Sequence, residues 1–130
     1  MFWFGFASNA YNAFTPQYAS AQYFSPYFST TPENVSNESF YWTSRVISAM
    51  ADPDHKSCLN LRDRYRLNVG AKSRNIMKKT EAGQNLTKED LAKANQEISD
   101  AVQKETNALL GQVLYISSMS MTNRFSLSDN

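Results

Sequence analysis

The spacing of apolar residues changes along this chain, and the change divides it in two. Phe2, Phe4 and Phe6 alternate with Trp3 and Gly5, so Met1 to Ala7 predicts a strand that is apolar on both faces. Ser8 and Asn9 are turn formers, and Tyr11 to Tyr18 predicts a second strand that closes a hairpin with the first. Pro16 puts that strand at an edge or a bulge, because proline offers the ladder no N–H. Tyr23 to Phe28, broken by Pro26, predicts a weak extended segment. Ser29 to Asn37 is polar, contains Pro32 and predicts a loop.

Beyond this point the spacing is helical. A first helix is predicted from about Asn37 to Ala51, capped by Ser36 or Asn37. Phe40, Thr43, Ile47 and Met50 fall on one stripe, widened by Trp42, Val46 and Ala49. Asp52-Pro53 ends it, since proline disfavours helix at the residue before it. A second helix runs from about Asp54 to Thr80, with Cys58, Leu61, Tyr65, Val69 and Ile76 at helical spacing. Gly70 inside it weakens the helix by about 1 kcal/mol relative to alanine. Gly83 and Asn85 mark a loop. Thr87 caps the third helix, and Glu89 and Asp90 suit the positive end of its dipole. Leu91, Ala94, Ile98, Ala101, Val102, Leu109, Val113 and Ile116 form its long stripe, with Gly111 a mild interruption. Ser117 to Asn130 predicts a polar tail with Met119, Met121, Phe125 and Leu127 as docking points.

The expected fold class is therefore α+β and mostly helical, a β-hairpin followed by three helices. It forms one single or partial domain. Residues 1–28 are an aromatic strand region, 29–37 a loop, 38–117 three helices and 118–130 a polar tail.

Composition sharpens the division. Of 17 aromatic residues, 14 lie at or before Trp42, whereas all 13 lysines and arginines follow it, starting at Arg45. The first 42 residues carry only two charges, Glu33 and Glu38. A strand apolar on both faces needs a covering layer on each, more than so short a chain readily supplies. The net charge of +1 points to no polyanionic partner. No apolar run reaches the roughly 18 to 20 residues that span a bilayer. Met1 to Ala7 lacks the basic start of a signal peptide, so a cytoplasmic location is expected. The Asn-x-Ser/Thr triplets at Asn34, Asn37 and Asn85 then read as chance.

Candidate chemistry is sparse. One cysteine excludes an internal disulfide and a cysteine-based zinc site, and no metal or cofactor is expected. His55 and Cys58 are three residues apart, so a helix makes them neighbours and suggests a Cys–His nucleophile pair. The plainer reading is favoured: His55 in a first turn and an inert Cys58 in the core. Arg62, Arg64, Arg66, Lys72, Arg74, Lys78 and Lys79 form a basic run, relieved by Asp63. They scatter around the helix, which favours a solvated surface over a nucleic-acid patch. The aromatic region reads as core or as a surface bared by a missing layer, rather than a stacking platform or membrane contact. Asn9, Tyr11, Asn12 and Phe14, at the predicted turn and strand end, are candidates for lining a substrate pocket, with plain packing the favoured alternative.

Several segments together carry a resemblance. Phe2 to Phe6, Asn9 to Tyr18, Thr30-Thr31-Pro32, Phe40 to Arg45, Leu86 to Gln96 and Leu109 to Gln112 resemble, in order and spacing, the end of bacterial cysteine-type dipeptidases of the N-terminal-nucleophile hydrolase superfamily. The resemblance implies an αββα fold in which this chain supplies final strands and outer helices. It implies dipeptide hydrolysis by a cysteine at the mature N-terminus, whose own α-amino group can act as base. Met1-Phe2 offers no such cysteine and Cys58 is internal, so no catalytic residue is assigned here. The expected partner is the N-terminal part of such an enzyme, or a second copy through the aromatic region. The competing expectation is a non-enzymatic helical module that binds a protein partner or itself.

Overall fold

A computed structural model describes residues 2–4, 13, 15–21, 23, 25–29, 38–83 and 86–128. Two short strands, β1 (Phe2–Phe4) and β2 (Thr15–Gln17), pair antiparallel, with Phe2 opposite Gln17, Trp3 opposite Pro16 and Phe4 opposite Thr15. The expected hairpin is present with Pro16 inside its second strand. All three residues of β2 are buried, although two of them are polar.

After β2 the chain turns helical sooner than its sequence predicts. A 3-10 turn covers Ala19–Ala21, and a short helix, α1, covers Pro26–Ser29. The expected extended segment over Tyr23 to Phe28 is therefore corrected at its end. Proline fixes φ near the helical value and has no N–H to satisfy, so Pro26 starts a helical turn rather than interrupting a strand. Tyr27 and Phe28 then pack against Phe40, with ring centroids 5.6 and 5.4 Å away. Both pairs are edge-to-face, the arrangement that suits the ring quadrupoles.

Three longer helices follow: α2 (Phe40–Ala51), α3 (His55–Glu81) and α4 (Lys88–Ser128). The cap of α2 is Ser39, whose Oγ accepts from the Trp42 N–H, so the helix starts later than predicted. Phe40, Thr43 and Ile47 are buried as their spacing requires, but Ala49 faces out and Ser44 and Ala51 face in. Asp52–Asp54 form a 3-10 turn where Pro53 breaks the helix.

α3 and α4 form an antiparallel hairpin. Tyr65 meets Thr106 near its middle, and Leu61 faces Ala108 to Ile116 nearer the start of α3. The core joins Phe40, Ile47 and Ala51 from α2, Cys58, Tyr65 and Val69 from α3, and Ile98, Val102, Leu109 and Val113 from α4. A smaller cluster of Tyr18, Ala21 and Ala94 ties the 3-10 turn to α4.

The expected polar tail is the clearest correction. α4 continues unbroken through Ser117 to Ser128. No Gly or Pro follows Gly111 to stop it, and Ser117, 5% exposed, extends the buried line of Leu109 and Val113. Met119 and Met121, expected as docking points, stay nearly half exposed.

Candidate functional site

The four candidate pocket residues, Asn9, Tyr11, Asn12 and Phe14, lie outside the described residues. What is described is the junction where β2 and the following turn rest on α3 and α4. One side chain organises that junction. Asn95 is fully buried on the inner face of α4. Its Oδ1 accepts from the Tyr18 N–H at 2.6 Å, and its Nδ2 donates to the carbonyls of Tyr18 (3.1 Å) and Tyr23 (2.9 Å). An irregular segment has no ladder to satisfy its polar backbone groups, so a buried amide that both donates and accepts replaces one.

Longer side chains add further ties. The Tyr18 hydroxyl donates to Glu81 Oε1 at 2.9 Å, reaching the last residue of α3. The Tyr23 hydroxyl donates to Gln96 Oε1 at 2.6 Å, and Gln96 Nε2 donates to Asp100 Oδ1 at 2.8 Å. Deeper in the core, Tyr65 and Thr106 share a 3.0 Å hydroxyl contact, and Thr106 also lies 2.6 Å from the Val102 carbonyl. Burial pushes Tyr18 and Tyr65 up to about 12. For Tyr18 the hydrogen bond to Glu81 and that carboxylate's charge push the same way. These phenols stay neutral and serve as anchors.

Asn95 and Thr106 escaped the sequence reading, although a signal for both existed. They sit in the apolar stripe, at the spacing of Leu91, Ile98, Val102, Leu109 and Val113. A polar residue at a core position of a periodic helix implies a specific buried partner.

The His55–Cys58 pair does not behave as a nucleophilic couple. Cys58 is fully buried, whereas His55 is exposed. Burial first, and the neighbouring Asp54 charge second, push the thiol up. A thiolate is therefore disfavoured where a nucleophile needs one. Arg64, Arg66, Lys72, Arg74, Lys78 and Lys79 are exposed, and Arg62 is half-buried. Lys72 pairs with Glu105 across the hairpin, and Arg62 with Asp63 at 3.3 Å. Among the described residues no group of three His, Cys, Asp or Glu could hold a metal ion, and no helix is long and apolar enough to cross a membrane.

The junction thus ties Tyr18 and Tyr23 to the inner face of α4. Comparison with known proteins gives that segment its context. The sequence model of Peptidase family C69 matches residues 1–68, which include the whole strand region. The chain is 41% identical over 129 residues to a probable dipeptidase A of Streptococcus pyogenes serotype M3 (strain SSI-1), covering 98% of this chain and 28% of that protein. It is 28% identical over 170 residues to a dipeptidase of Bifidobacterium longum (strain NCC 2705), covering 98% of this chain and 32% of that protein. With a probable dipeptidase B of Lactococcus lactis subsp. lactis (strain IL1403) the identity is 24% over 130 residues, covering 98% and 27%.

The chain belongs to Peptidase family C69. Its resemblance to the C-terminal portion of bacterial dipeptidases is borne out by these matches. It spans little more than a quarter of the length of the first of those relatives.

Proposed function

We propose that this chain is the C-terminal part of a bacterial dipeptidase and acts structurally, covering and bracing a catalytic sheet whose nucleophile lies in another part of the polypeptide. The complete enzyme would hydrolyse dipeptides by thiolate attack on the amide carbon, breaking the C–N bond to expel the C-terminal amino acid with a proton on its nitrogen, and water would then cleave the thioester of the acyl-enzyme to free the other amino acid and the thiol. In this reading β1 and β2 are margins of a larger sheet in an αββα arrangement, with the helices as an outer layer. The N-terminal part of the enzyme is the partner, and the location is cytoplasmic.

One observation carries the reading. Nearly the whole chain aligns with dipeptidases of which it covers only 28%. The structure is consistent with it, because its one cysteine is buried with a raised thiol pKa and its best-built polar site grips backbone. The test is an assay of the purified chain on a panel of dipeptides, alongside Cys58→Ala. Neither protein should show thiol-dependent hydrolysis. Hydrolysis by the wild type that Cys58→Ala abolishes would place the nucleophile in this chain and overturn the proposal.

A further inference from the structure

β1 and β2 have unlike outer edges. In an antiparallel ladder, facing pairs alternate between exchanging two hydrogen bonds and exchanging none. Trp3 faces Pro16, and Pro16 has no N–H to exchange. The bonded pairs are therefore Phe2 with Gln17 and Phe4 with Thr15. Trp3 and Pro16 then turn their backbone polar groups outwards, each away from the other strand.

The outward side of β2 is closed. Pro16 offers no donor there, and its carbonyl already accepts from Gln17 Nε2 at 2.8 Å. Tyr18 is the next residue in the same alternation. Its N–H donates to Asn95 Oδ1 and its carbonyl accepts from Asn95 Nδ2, so one side-chain amide stands where a further strand would bond. Gln17 and Asn95 are both fully buried, which shields these bonds from competing partners. A proline and a covering helix are devices that end a sheet. On the other side, among the described residues, the sheet has no strand beyond β1.

We propose that β2 is the margin of the sheet and that the part of the enzyme this chain lacks pairs a strand along β1, through the N–H and C=O of Trp3. The proposal rests on the reading of the chain as the C-terminal part of a dipeptidase. The relatives hold most of their sequence outside the matched portion, and for a C-terminal match that sequence precedes β1. Consecutive strands usually lie side by side. The count of bonds disfavours a second copy as the occupant. β1 is three residues long, so two copies laid edge to edge exchange only the bonds between their Trp3 residues. Each such bond adds little net stability, and together they fall short of the freedom that two separate molecules lose on pairing. A strand of the same polypeptide loses far less.

The test compares this chain alone with a chimera, the probable dipeptidase A of Streptococcus pyogenes in which this chain replaces the portion it matches. In the chain alone the Trp3 amide should exchange hydrogen faster than the Phe4 amide, which bonds to β2. In the chimera the Trp3 amide should slow by roughly tenfold or more. Trp3→Pro removes the outward donor and leaves the donors of the β1–β2 ladder in place, whereas Trp3→Ala keeps it. Dipeptide hydrolysis by the Trp3→Pro chimera should fall roughly tenfold or more below that of the Trp3→Ala chimera. An active chimera whose Trp3 amide exchanges as in the chain alone, or that tolerates Trp3→Pro, would overturn the edge assignment and leave the dipeptidase reading standing. An inactive chimera with a protected Trp3 amide would support the edge and count against that reading; one with an unprotected amide would sink both. Protection of Trp3 in the chain alone that grows with concentration would make a second copy the occupant and overturn the proposal.

Discussion

Asn95 holds Tyr18 and Tyr23 in place because its amide is the buried partner of three of their backbone groups. Replacing it with leucine keeps the branched shape but leaves those groups unpaired, each at a cost of about 1 kcal/mol or more. Asn95→Leu should therefore lower stability by about 2 to 4 kcal/mol in a denaturant titration. It should also speed hydrogen exchange at the Tyr18 amide more than at amides in the middle of α3. Uniform acceleration everywhere would count against a local clamp. The buried phenols give a second expectation at this scale. Tyr18 and Tyr65 titrate near 12 against an ordinary 10.0, and burial raises Tyr27 as well. Below pH 10 these groups are neutral in both folded and unfolded chains, and their contribution to stability is fully present. Between about pH 10 and pH 12 the unfolded chain ionises first, so stability should fall across that window. Denaturation midpoints at intervals through it, with phenolate absorbance followed in parallel, check the sign. A midpoint that does not move would contradict the burial of these hydroxyls.

At the scale of elements, the start of α4 shows local chemistry that the sequence makes plain. The Thr87 N–H donates to Asp90 Oδ2, and the Asp90 N–H donates to Thr87 Oγ1, both at 3.1 Å. The Thr87 backbone N–H first, and the Thr87 side-chain hydroxyl second, hold the Asp90 carboxyl below its usual value by hydrogen bonding. This contribution is present above the ordinary carboxylate pKa and is lost as pH falls through the lowered one. Thr87→Ala should cost about 1 kcal/mol and fray the first turn, measurable by thermal melting and amide exchange there. Thr87 was legible as a cap because capping needs only the residue and its next three neighbours. The inner faces of α2, α3 and α4 were legible for the same kind of reason: a 3.6-residue period survives in any context. What could not be read depends on distant partners. Ser117 to Ser128 looks like a tail until Ser117 is seen continuing the buried line of α4. Pro26 reads as a strand breaker until Tyr27 and Phe28 are seen packing on Phe40. Asn95 goes unmarked in the sequence although its position in the stripe points inwards. Cys58 was legible as core, but not the raised thiol that follows from its surroundings.

At the scale of the whole molecule, the lopsided composition has a structural counterpart. The charge-poor aromatic region supplies β1, β2 and the short helical turns, and the charged remainder supplies most of the long helices. Contacts from Tyr18 to Glu81 and from Tyr23 to Gln96 join the two parts, so the helices hold the strand region in register. Such bracing has a use if the strands complete a sheet belonging to a larger enzyme. The relatives, more than three times as long, include the rest of such a sequence. The most direct measurement is complementation. The probable dipeptidase A of Streptococcus pyogenes, truncated to remove the portion that this chain matches, is assayed on dipeptides alone and after refolding with this chain. Little or no activity is expected from either piece alone and thiol-dependent dipeptide hydrolysis from the mixture, reduced when Asn95→Leu is used. Full activity of the truncated enzyme without this chain would contradict the account, because the portion represented here would then brace nothing that catalysis needs.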